Sequence, residues 1–183
     1  MNGWKRSGRG AKARLVATME VQEAAVLRGL IGEVRQMLAA RTAENPADEL
    51  GELTGMRIGP SAGPEDRVLA RLLPDFSRDD ANLSAALRSL HEPALIEAKE
   101  AASAVVLETL PEHGGRVELT VEQADAWLAA LNDVRLALGT ALDVTEDLPE
   151  ELPPDDARSA HLGVYQWLTF VQDALVQSRM QLR

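Results

Sequence analysis

The stretch from Thr120 to Leu142, TVEQADAWLAALNDVRLALGTAL, leaves the chain the least choice of fold. Thr120 followed by Gln123 makes a capping box, and losing such a cap costs roughly 1 kcal/mol. Ala124, Trp127, Leu128, Leu131, Val134, Leu138 and Leu142 then recur at three- and four-residue spacing, which places them on one face of a helix. Val121, Leu136 and Ala141 widen that face, so more than one element must cover it. The expected fold class is therefore mainly α, a single-domain bundle of about five main helices with a small β hairpin and a short strand. Asn132, Asp133 and Arg135 interrupt the apolar pattern, with Asn132 and Arg135 on one side. Two readings fit: a structural polar network that fixes helix register, or a ligand-facing site.

The other segments are read around this helix. Residues 3–17 hold Trp4, a Gly-rich turn signal at Ser7–Gly10 and a run in which Ala13, Leu15 and Ala17 alternate, the pattern of a hairpin. Thr18 is expected to cap a helix to about Arg41, with Ala24, Leu27, Leu30, Ile31, Val34 and Leu38 inward. Asn45-Pro46 and Gly55 bracket a short helix over Pro46–Thr54, and a loop follows from Arg57 to Pro64. Glu65–Leu73 reads as another short helix. Asp79 or Asp80 opens a helix to His91 with Leu83, Ala86, Leu87 and Leu90 inward, and Pro93 starts the next one, to about Leu110. Arg116–Leu119 is a short strand suited to pair with the hairpin. Residues 145–156 hold six acids and three prolines and read as a mobile acidic loop. The last helix spans about Ala157–Met180, and Tyr165 and Phe170 flank its core face. They form either part of a deeply seated helix or a partner and self-association surface.

Charge and composition narrow the function. The net charge is −10, yet residues 1–14 carry Lys5, Arg6, Arg9, Lys12 and Arg14 with no acid. These five are the candidate nucleic-acid contacts; the plainer alternative is an edge hairpin kept soluble by its cations. Five cations give a log K versus log salt slope of at most about −4.5, a weak contact opposed by the acidic body. No cysteine is present, which removes disulfides, thiolate nucleophiles and cysteine-ligated zinc. The histidines His91, His113 and His161 stand far apart, with no paired-His motif, so no metal site is expected. No G-x-S-x-G elbow, Walker loop or dinucleotide fingerprint occurs, so neither an enzyme nor a cofactor is expected. Neither an apolar leader nor a run of eighteen apolar residues is seen, and a cytoplasmic protein without a membrane role is expected.

Four blocks carry a family resemblance: Leu72-Leu73-Pro74-Asp75-Phe76, Ala86–Pro93, Trp127-Leu128 with Leu131–Gly139, and Tyr165–Thr169. In these the chain resembles an actinobacterial family of unknown function, whose members are labelled AosR-type oxidative-stress transcriptional regulators. The block Leu131-Asn132-Asp133-Val134-Arg135-Leu136-Ala137-Leu138-Gly139 is its most specific part. The resemblance implies a small cytosolic regulator in an oxidative-stress response. Its partner would be a protein of the transcription apparatus, and no catalytic residue carries over. Where such regulators sense oxidants through cysteine, this chain departs. Sensing would fall to a partner, a metal or oxidation of Met19, Met37, Met56 or Met180. The alternative is a self-associating scaffold, a homodimer with no nucleic-acid role.

Overall fold

The computed structural model describes residues 1–8, 10–45, 58–148, 151–153 and 155–181. The expected helix Pro46–Thr54 lies outside them. The described part is mainly helical with a three-stranded antiparallel sheet. Strand β1 (Asn2–Ser7) and β2 (Arg14–Met19) form the hairpin, joined through a short 3-10 turn at Gly10–Lys12. The later strand β3 (Gly115–Leu119) pairs with β2 on its other side, giving the order β1-β2-β3. Leu15 faces Leu119 and Ala17 faces Val117 in that register, and all four are buried. Period-two alternation thus turns one face of the sheet to the core.

Helix α1 (Val21–Ala43) begins one residue after β2 ends. The strand runs through Thr18, so Thr18 is not the cap. Glu20 is, closing a capping box with Glu23. Ladder pairing of Thr18 with Arg116 holds that residue in the sheet and moves the helix start onward. Gly114, just before β3, has φ +70, and a Cβ there would stand 2.7 Å from the Val21 nitrogen and 2.8 Å from the Met19 oxygen. Glycine alone fits this turn against the strand–helix junction.

Helix α2 (Arg67–Leu72) starts where the Asp66 side chain accepts from the Leu69 amide. Helix α3 (Ala81–Thr109) is one continuous helix with Pro93 inside it, where the sequence suggests two. The reason is local. A helical proline leaves the carbonyl four residues back, that of Ser89, without its N–H donor. The Gly59 amide donates to the Ser89 carbonyl at 2.7 Å instead. Gly59 also gives the proline ring room, since a Cβ there would meet Pro93 Cδ at 2.9 Å.

Helix α4 (Val121–Ala141) carries the expected Thr120–Gln123 capping box. It packs against α1, α2, α3, the last helix α5 (Ser159–Met180) and strands β2 and β3. Trp127, Leu131, Ala124 and Ala130 are fully buried on it. Trp4 from β1 meets Trp127 edge-on, with ring centroids 5.5 Å apart. One hydrophobic cluster therefore draws on the sheet and all five described α-helices. The described residues of the 145–156 stretch contain turns and no strand.

Candidate interaction faces

Helix α3 is where the structure overturns the sequence pattern. Leu83, Ala86, Leu87 and Leu90 were expected inward, yet Leu83 is 48% exposed and Leu90 63%. Ala86 is exposed and Leu87 half-buried. The same half of the helix buries Ser84, Arg88 and Glu92. Its polar side faces the core, and Leu83 and Leu90 face solvent.

An ion cluster explains the inversion. Arg88 Nη1 donates to Glu92 Oε2 at 2.6 Å and to the Leu73 carbonyl at 3.1 Å, and Nη2 donates to Asp75 at 2.8 Å. From the end of α1, Arg41 Nε donates to the other oxygen of Glu92 at 2.8 Å. Arg41 also reaches Glu44 at 2.6 Å and the Ala62 carbonyl. Burial works against charge on Arg41, and its bonds to Glu92 and Glu44 outweigh that and raise its pKa. Glu92 is completely buried, and its carboxylate joins two guanidiniums from different helices. Once Arg88 and Glu92 are turned in, helical geometry turns Leu83 and Leu90 out. Ile58, next to Gly59, is also exposed at 64%. Arg88 and Glu92 are separated by four residues, a spacing that reads from sequence as a solvated ion pair. That is why periodicity missed the site.

The sequence-predicted residues are distributed as follows. Asn132, Asp133 and Arg135 point to three places. Asn132 is exposed. Asp133 is 4% exposed and accepts from Lys99 Nζ of α3 at 2.6 Å. Arg135 turns to α5, donating to Thr169 Oγ1 at 3.1 Å and Gln172 Oε1 at 2.5 Å. Tyr165 is half-buried beneath Arg135, whose guanidinium lies 5.5 Å from the ring centroid. Phe170 is 55% exposed and away from Tyr165, so the two do not share a surface. Residues five apart on a helix differ by roughly 140°. Of the cationic candidates, Lys5, Arg6 and Lys12 are exposed on the hairpin, and Arg14 is half-buried on β2. Arg6 donates to the Gln181 carbonyl at 3.1 Å and Arg14 to the Ala13 carbonyl at 2.9 Å. Arg9 lies outside the described residues. Asp75 and Asp80 are used structurally, Asp75 by Arg88 and Asp80 as the cap of α3. Among the described residues no group of three or more His, Asp or Glu side chains is placed to hold a metal ion. No helix among them is long and apolar enough to cross a membrane.

Burial pushes the Asp133 carboxyl up, and the Lys99 ammonium works against that rise. A raised folded-state pKa means that the folded form holds its proton more tightly than the unfolded form. Stability from this group is greatest below the unfolded carboxylate value and falls as pH climbs through the raised one. Lys99→Met removes the opposing cation, so the loss should be about 3 kcal/mol at neutral pH. Relative to the parent, that loss should shrink as the pH is lowered from neutral into the acid range and the carboxyl takes up its proton. Urea unfolding of both chains at neutral and acid pH checks it; a pH-independent difference would remove Asp133 as the cause.

Residues 1–178 match the family described as Domain of unknown function (DUF2017). The chain belongs to that family. It is 44% identical, over 94% of its length and 85% of theirs, to proteins of Mycobacterium tuberculosis and Mycobacterium bovis. Both relatives carry the name oxidative stress regulator AosR. No solved structure gives a significant match. The family match takes in the whole sheet, the ion cluster and all but the end of α5.

Proposed function

We propose that this protein is a non-enzymatic, cytoplasmic regulator in an oxidative-stress response that acts by binding a protein of the transcription machinery. The observation that carries the reading is the leucine face of α3, held outward by a buried ion cluster. An apolar stripe at helical spacing on a rigid helix suits a groove or helix face on a partner protein. Holding it outward costs buried charge, which is a reason to read it as a used surface. The regulatory role is supported by the name of the mycobacterial relatives. Lys5, Arg6, Lys12 and Arg14 on the hairpin add at most a weak, salt-sensitive contact to DNA.

The test is co-elution of the full chain with purified actinobacterial RNA polymerase holoenzyme, using Leu83→Asp/Leu90→Asp beside the parent. Exposed substitutions of this kind change stability by only about 0.5 kcal/mol. The parent should co-elute, and the double variant should lose binding by at least about tenfold while melting normally. Equal binding by the variant would remove the α3 face. A parent that runs as a dimer, converted to a monomer by the same substitutions, would favour the self-associating scaffold instead.

A further inference from the structure

Near the C-terminal end of α4 the chain leaves an open pocket of about 360 Å³, between α2, α4 and α5. Its volume lies within the small-molecule range. Three guanidiniums line it, those of Arg67, Arg71 and Arg135, against a single carboxylate, Asp143. This is a cationic site on a chain of net charge −10.

The three arginines are not equivalent. Arg67 is paired with Asp143, and that pairing holds the Asp143 carboxyl below its usual range. Asp143 stands at φ +52, a left-handed conformation that an L side chain adopts at some cost. Arg135 is half-buried and held by neutral groups alone: the Thr169 hydroxyl, the Gln172 amide oxygen and the Tyr165 ring. Its Nη2 has no protein acceptor among the described residues. Arg71 is exposed and has neither a hydrogen bond nor an ion pair among them. Two guanidinium charges are therefore left uncompensated around one cavity.

The wall is built closely. A Cβ on Gly139 would stand 3.1 Å from Tyr165 Cε2, so the ring rests against bare helix backbone and carries Arg135 on its face. Taking a charge out of water costs free energy unless a partner compensates it. Here the guanidinium is fixed in place by neutral partners, with donors left over and space in front of them. Guanidinium forks match the planar or tetrahedral oxygens of carboxylate and phosphate.

We propose that this pocket binds a small oxyanion-bearing molecule, with its phosphate or carboxylate group seated between Arg71 and Arg135. The bound anion neutralises the two unpaired guanidiniums, and the Arg67–Asp143 pair forms the rim. A ligand here touches α2, α4 and α5 together and stabilises their packing by mass action.

The experiment is isothermal titration of the full chain with inorganic pyrophosphate and, separately, with citrate, each at constant ionic strength against a sodium chloride blank. Saturable binding of one anion per chain is expected. Pyrophosphate alone binding identifies a phosphate site, and citrate alone a carboxylate site. Arg71→Ala and Arg135→Gln should each weaken it by at least about tenfold, the effect of losing a charge-assisted contact. Arg78→Ala, at an exposed arginine that does not line the pocket, should leave it unchanged. Because Arg71 is exposed, its removal leaves the fold intact even if Arg135→Gln does not fold. No saturable binding of either anion at millimolar concentration, or parent-like binding by Arg71→Ala, overturns the proposal.

Discussion

Glu92→Gln should destabilise this protein by about 3–5 kcal/mol, the cost of removing one member of a buried charge cluster. The substitution keeps the shape of the side chain and deletes only its charge. Glu92 is fully buried, and among the described residues it alone joins Arg41 to Arg88. Without it the two guanidiniums, 5% and 2% exposed, face one another across a neutral amide. Asp75 and Glu44 still compensate part of that charge, which places the expected loss toward the lower end. At about 2–4 °C per kcal/mol for a chain of this size, the melting temperature should fall by roughly 10 °C. Calorimetry of the single variant gives that number. A companion triple variant, Arg41→Met/Arg88→Met/Glu92→Met, separates charge from packing. It should melt within a few degrees of the parent, since buried ion pairs seldom outperform well-packed apolar groups. A drop below about 2 °C for Glu92→Gln would mean that water reaches the cluster.

Trp127→Ala should cost about 3–5 kcal/mol by a different route. The side chain is wholly buried where the sheet meets the bundle, against Trp4. Truncation leaves a cavity that the neighbouring sheet and helices close only in part. The indole nitrogen also donates to the Thr109 hydroxyl at 2.8 Å, so a part-buried bond is lost with it. Trp127→Phe keeps an aromatic ring and should cost less, about 1–3 kcal/mol for the hydrogen bond and the lost volume. Denaturant unfolding of the two variants orders them. Equal losses would show that the polar contact dominates, and a loss under about 1 kcal/mol for Trp127→Ala would dispose of its central place in the core.

Much of the fold was legible where one signal is local and another agrees with it. The α4 cap and stripe are both written in consecutive residues, and period-three and period-four recurrence has one solution there. The hairpin and the short strand were legible for the same reason, because alternation and Gly-rich turns lie side by side in the chain. The candidate site was not. Leu83, Leu87 and Leu90 make as good an inward stripe as any on α4, yet Leu83 and Leu90 point to solvent and Leu87 is only half-buried. Periodicity reports that a face is apolar and is silent on which face a tertiary partner will cover. Likewise Tyr165 and Arg135, which sequence placed in separate roles, share one pocket wall.

By itself the sequence determined that this chain is mainly helical, that Trp127 sits in the core and that a small sheet gathers its N-terminal hairpin with a distant strand. Each follows from propensities and spacings within a few turns. Only the tertiary structure decided that α3 runs unbroken through Pro93, that it turns Leu83 and Leu90 out, and that three arginines surround one cavity. Those outcomes depend on donors and charges supplied from elsewhere in the chain: the Gly59 amide, the Arg41 guanidinium, and Asp143 as the lone carboxylate of the pocket. Long-range electrostatic and hydrogen-bond pairing has no period along a sequence, so it becomes visible only when the chain is closed.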